Sequence, residues 1–122
     1  MIEKRLIFAI HKRLIVTFGG IDGIRDEGLL ESALAHPKHK KAYDSGADIF
    51  DLTACLCYSL IKNHPFIDGN KRVGAVVCEF VLMKNGYEIN ASEEEKYVVF
   101  MGIAAGKVSE KELSAWLSEN VK

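Results

Sequence analysis

Two long apolar segments of this chain meet at one polar interruption, His64-Pro65-Phe66-Ile67-Asp68-Gly69-Asn70-Lys71-Arg72. From Asp48 to Asn63, and again from Asn70 to Asn85, the sequence leaves almost no polar face. A helix of that kind is buried on all sides. Pro65 cannot continue the first helix and biases His64 away from the α region. The first helix is therefore expected to end near Asn63, with His64 at the edge of a loop. Phe66 is expected to anchor that loop to the core. Gly69 lets the backbone turn tightly or approach a ligand closely. Asn70 suits an N-cap, so the second helix is expected to begin there.

A loop that opens onto a helix N-terminus gathers free N–H groups and the positive end of the dipole, a setting that favours anions. Lys71 and Arg72 add two positive charges to the same turn, where Asp or Glu is normally preferred. Their position costs stability unless something negative binds, and phosphate is the obvious candidate. An imidazole at His64 can accept a proton from an attacking hydroxyl near neutral pH. Asp68, with phosphate oxygens and waters, makes an ordinary Mg²⁺ site. Each residue has a plainer role open to it: a structural histidine, a turn aspartate, a helix cap at Asn70. There is no GxxxxGK[ST] and no GxGxxG after a strand, so the common phosphate cradles do not apply. The residues alone point to metal-assisted phosphoryl or nucleotidyl transfer with a histidine base.

The rest of the chain reads as helices. Leu6, Ile7, Ile10, Leu14, Ile15 and Phe18 recur at steps of three and four, which predicts an amphipathic helix near Ile2–Phe18. Its charged face, with Lys4, Lys12 and Arg13, reads as solvated, and His11 as structural or exposed. Gly19 and Gly20 stop it, and Ile21–Arg25 reads as a turn. Asp26 is expected to cap a short helix through Ala35, ended by Pro37. His36 to Gly46 is then expected to be a surface loop, either a solvated charge run or a flap; a zinc site from His36 and His39 is a weaker reading. Gly86 sits where a C′ glycine belongs. Ser92 with Glu95, and Ser109 with Glu112, are capping-box patterns that start two further helices. The first is expected to turn Tyr97, Phe100, Met101 and Ala104 inward. The sum is an all-α fold, a compact bundle of about six helices in a single domain spanning residues 1–122.

At 122 residues, roughly 65% of the unfolded surface can be buried, which needs no staples. Three cysteines cannot complete a disulfide framework and read as small core residues in a reducing compartment. A net charge of -1 argues against general nucleic-acid binding. The first residues do not read as a signal peptide, and no segment is long enough to span a membrane. A cytoplasmic location is expected.

The nine residues His64–Arg72 resemble the signature of the Fic/Doc superfamily, His-Pro-Phe-x-Asp/Glu-Gly-Asn-Gly/Lys-Arg. Gly19-Gly20, Gly23 to Ala33 and Asn85-Gly86-Tyr87-Glu88 resemble the Doc (death-on-curing) toxin branch, so the similarity covers nearly the whole chain. Most Fic proteins are similar to AMP transferases and carry Gly at the position of Lys71 and a second Arg at that of Ala75. Lys71 and Ala75 both resemble the Doc pattern. The resemblance implies a toxin that uses ATP and Mg²⁺ to phosphorylate a hydroxyl of an elongation factor Tu-like protein and so inhibits translation. It implies His64 as general base with Arg72 in catalysis, Asp68 at the metal, and Gly69, Asn70, Lys71 and Arg72 on the nucleotide. It also implies a Phd-like antitoxin partner, and a role for the residue 36–46 segment in gripping the target. AMP transfer from the same site, and a non-catalytic helical binding module, are the alternatives.

Overall fold

A computed structural model describes residues 1–122. Six helices follow in order: α1 Lys4–Phe18, α2 Glu27–Tyr43, α3 Ile49–Asn63, α4 Asn70–Lys84, α5 Glu93–Ala104 and α6 Glu110–Glu119. The all-α bundle expected from the sequence is what forms. No helix is long and apolar enough to cross a membrane.

Helix α3 is the hub, packed against α2, α4, α5 and α6. Its start is fixed by a reciprocal capping box between Asp48 and Asp51. Its buried residues divide between two apolar clusters. Ala54, Cys57 and Ile61 join α4, α5 and α6 in one, while Leu56 and Leu60 join α1, α2 and α4 in the other. Gly74 lets α3 and α4 approach closely: a Cβ there would come within 2.7 Å of the Ile61 side chain. The Cys57 thiol uses the same closeness to donate to the Gly74 carbonyl at 2.8 Å. Helices α5 and α6 begin at the two serine capping boxes anticipated above. Gly86 follows α4 with φ 87, as a C′ glycine should. Residues 88–90 pair with the last residues of the chain, through an isolated bridge between Ile89 and Val121.

Helix α2 departs from the sequence expectation. It does not stop at Ala35 but runs through Pro37 to Tyr43, so residues 36–43 form neither a surface loop nor a flap. Tertiary partners outweigh the lost backbone hydrogen bond. Pro37 itself is buried. His36 Nδ1 lies 2.6 Å from Ser59 Oγ on α3, and no third histidine, cysteine or carboxylate joins His36 and His39 to hold a zinc ion. Lys40 pairs with Glu110 of α6 at 3.3 Å. Lys41 donates to the Ser45 and Ala47 carbonyls beyond the helix end, where a cation suits the dipole.

Candidate active site

The motif loop leaves α3 at His64, the C-cap, whose backbone is left-handed (φ 54, ψ 54). It is the only residue other than glycine with positive φ. The segment between α1 and α2 straps the loop from outside. Pro65 O accepts from the N–H groups of Arg25 and Asp26 at 2.8 and 3.0 Å, and Ile67 N–H donates to Gly23 O at 3.1 Å. The Arg25 guanidinium donates from Nε to His64 O at 2.7 Å and from Nη2 to Asn63 O at 2.9 Å.

Phe66 is the expected anchor, 1% exposed, with Phe8 edge-on at 6.2 Å. His11 lies flat on the other side of its ring, with centroids 3.9 Å apart and planes 8° apart. His11 is buried, not on a solvated face, and its Nε2 donates to Asp68 O at 2.8 Å. That hydrogen bond fixes the Nε2–H tautomer, or the doubly protonated ring.

Asn70 is not the cap. Gly69 takes that position with φ 81, and Asn70 is the first helical residue. The Asn70 side chain turns back into the loop: Oδ1 accepts from Phe66 N–H and Nδ2 donates to Phe66 O, both at 2.9 Å. No side chain caps α4, so its first N–H groups keep their capacity to donate. The Asp68 carboxylate is held by Gly69 N–H at 2.8 Å and Ile21 N–H at 3.2 Å. Gly20 must be glycine here, because a Cβ would stand 2.8 Å from Asp68 Oδ2 and φ is 116.

A cleft of about 560 Å³ opens over this helix start. Asp68, Gly69, Lys71 and Arg72 line it, and Leu14, Phe18, Tyr97, Phe100 and Met101 form its apolar flank. Tyr97, expected inward, is exposed on that flank. Lys71 and Arg72 pair with no carboxylate. Arg72 instead lies over the Phe18 ring, 4.4 Å from its centroid. Also lining the cleft, Lys96 bridges Glu79 at 2.7 Å and Glu93 at 3.3 Å, and its hydrogen bond to Glu79 raises its pKa despite partial burial. His64 and Asn70 do not line the cleft; His64 is exposed at the far end of the loop. A smaller hollow of about 240 Å³, between α2, α3 and α6, is lined by charged and polar groups and contains none of the motif residues.

Thus four of the six residues singled out in the sequence share one cleft, while buried Asn70 and exposed His64 lie outside its lining. Sequence reasoning left His11 as structural or exposed without seeing its tie to the loop, and it missed Arg25; their signals were a helix-face position and a turn. Their partners in the loop are 57 and 39 residues away, and a local pattern cannot see them.

The model of the Fic/DOC family matches residues 1–82. The chain is 28% identical over 108 residues to "Protein kinase doc" of Escherichia phage P1, covering 88% of this chain and 85% of that protein. It is 36% identical over 77 residues to "Toxin Doc" of Mycolicibacterium smegmatis, covering 62% of this chain and 59% of that protein. The family match and these two likenesses agree, and the chain belongs to the Fic/DOC family, in its Doc branch.

Proposed function

We propose that this chain is a Doc-type toxin that transfers the γ-phosphoryl group of ATP to a hydroxyl of an elongation factor Tu-like protein and so stops translation. The observation that carries the reading is the start of α4: an uncapped helix end, two unpaired cations and a cleft of about 560 Å³. That volume lies within the usual range for a small-molecule site. Lys71 and Arg72 bind phosphate oxygens and offset charge that develops during transfer. Gly69 lets the polyphosphate approach the backbone, and Asn70 contributes its own N–H while its amide keeps the loop in shape.

His64 takes the proton of the attacking hydroxyl. Its place outside the cleft, exposed, suits a base that meets a group delivered by another macromolecule. Asp68 fits Mg²⁺ as a single exposed carboxylate with lone pairs to spare beside its two backbone N–H partners. With no cluster of three acidic, histidine or cysteine residues, such an ion needs substrate phosphates and waters to complete its shell. When bound, the ion neutralises charge on the phosphates. Lys71 and Ala75 both line the cleft, in place of the glycine and second arginine of AMP transferases. A lysine there fills space over the backbone and presents a point charge, which supports phosphate transfer over AMP transfer.

The apolar flank of the cleft supports an antitoxin of Phd type as partner, covering the site through an amphipathic segment. A translation factor as target, together with three free buried thiols, supports a cytoplasmic location.

The test is incubation with purified elongation factor Tu and ATP labelled at the α or the γ phosphorus. Label from γ alone on the factor is the expected result. Label from α alone would establish AMP transfer in its place. Growth arrest that persists unchanged with His64→Ala would move the reading to a binding module.

A further inference from the structure

His64 holds a conformation that residues other than glycine rarely adopt, and no other such residue in the chain shares it. Backbone of this kind persists only where its surroundings over-determine it. The two peptide planes that flank the His64 Cα carry the carbonyls of Asn63 and His64. Arg25 binds both, from Nε and Nη2 of one rigid guanidinium, at 2.7 and 2.9 Å. Its backbone N–H takes the next carbonyl, Pro65 O, at 2.8 Å. One residue therefore grips three consecutive carbonyls. Fixing the planes on both sides of a Cα fixes its φ and ψ, and with them the direction in which its Cα–Cβ bond leaves the backbone. Arg25 is exposed and pairs with no carboxylate, so its fork is spent entirely on the end of α3, where the helix dipole also favours a cation.

We infer that Arg25 is the positioning residue of His64: it locks the left-handed backbone and so aims the imidazole at the incoming hydroxyl. The catalytic half of this statement rests on the phosphoryl-transfer reading above; the backbone half does not. A lysine would keep the charge near the helix end but lacks the planar fork that binds two carbonyls at once.

Wild type, Arg25→Ala and Arg25→Lys separate these effects. Because Arg25 is exposed, both variants are expected to melt cooperatively by circular dichroism. Arg25→Ala is expected to lower kcat for transfer to elongation factor Tu about 10–100-fold, the scale of a small misplacement of a reacting group. KM for ATP should stay within about twofold, because the phosphate groups lie on another segment. Arg25→Lys should stay within about threefold of the alanine variant, since charge alone does not fix two planes. In chain carrying ¹³C-histidine, with the four resonances assigned by substitution, the His64 Cα and Cβ shifts should leave their left-handed values in both variants. Unchanged shifts, unchanged kcat or full rescue by lysine would each overturn the assignment. If wild type transfers no phosphate from ATP, the proposed function falls, and the histidine shifts still decide whether Arg25 sets the backbone.

Discussion

A left-handed φ at His64 costs about 1–2 kcal/mol relative to ordinary backbone, and glycine would adopt it without that cost. Glycine also loses more freedom on folding, by about 0.5–1 kcal/mol. His64→Gly is therefore expected to leave the fold unharmed or stabilise it by up to about 1 kcal/mol, while the proposed phosphoryl transfer falls by about 10²–10⁴ if His64 is its base. Urea unfolding and the labelled-ATP assay on one preparation check both halves. A variant that lost stability and activity together would mark His64 as structural. Arg72 illustrates a related economy. Its guanidinium lies 4.4 Å from the centre of the Phe18 ring, an exposed cation–π contact worth about 0.5–1 kcal/mol. The contact orients the group at the cleft without neutralising it, which an ion pair would do.

Helix α4 begins on a hydrogen-bonded pair, not on a cap. Asn70 is 3% exposed and satisfies both polar groups of the Phe66 backbone. Asn70→Ala leaves both of them buried without partners, at about 1–3 kcal/mol each. The expected loss is about 2–6 kcal/mol in urea unfolding. Asn70→Asp should recover little of it, because a carboxylate faces the Phe66 carbonyl. The helices themselves were readable from the sequence, since apolar periodicity and the serine capping boxes are local signals. So was the motif loop, because Pro65 and Gly69 act on the backbone where they stand. Pro37 misled for an instructive reason. Its local rule ends a helix, but His36, Lys40 and Lys41 find partners on α3, on α6 and beyond the helix end that carry α2 past it. Asn70 misled in the same way: its side chain is a good cap in isolation, yet the Phe66 backbone offers it two bonds. His11 needed knowledge that Phe66 would lie beside it. Contacts between distant segments leave no trace in a window of neighbouring residues.

Helices α3 and α4 make the largest packing contact in the molecule; Cys57 and Cys78 lie inside that pairing, while Cys55 faces Lys40 of α2 and Glu110 of α6. All are free and buried, Cys57 and Cys78 completely. A thiol reagent at pH 8 should therefore label none of them until denaturant is added; rapid labelling of Cys57 or Cys78 in the native chain would show that α3 and α4 separate readily. The same burial gives stability a pH dependence. Desolvation pushes the Cys55 thiol up from 9.0 to about 11, and raises Cys57 as well. The folded chain keeps these protons where the unfolded chain begins to release them. Unfolding is thus favoured as pH rises above about 9, and the share due to Cys55 is complete once its folded value near 11 is passed. Lys96 acts in the same direction: its hydrogen bond to Glu79 raises its pKa, so that contribution is present below the ordinary lysine value and is lost as pH climbs through the raised one. The urea midpoint, followed by circular dichroism in reducing buffer, should hold steady from about pH 7 to pH 9 and then fall toward pH 11. Cys55→Ala should flatten part of that fall without moving the plateau slope below pH 9, whereas an identical decline in this variant would assign the whole effect to the remaining thiols and lysines.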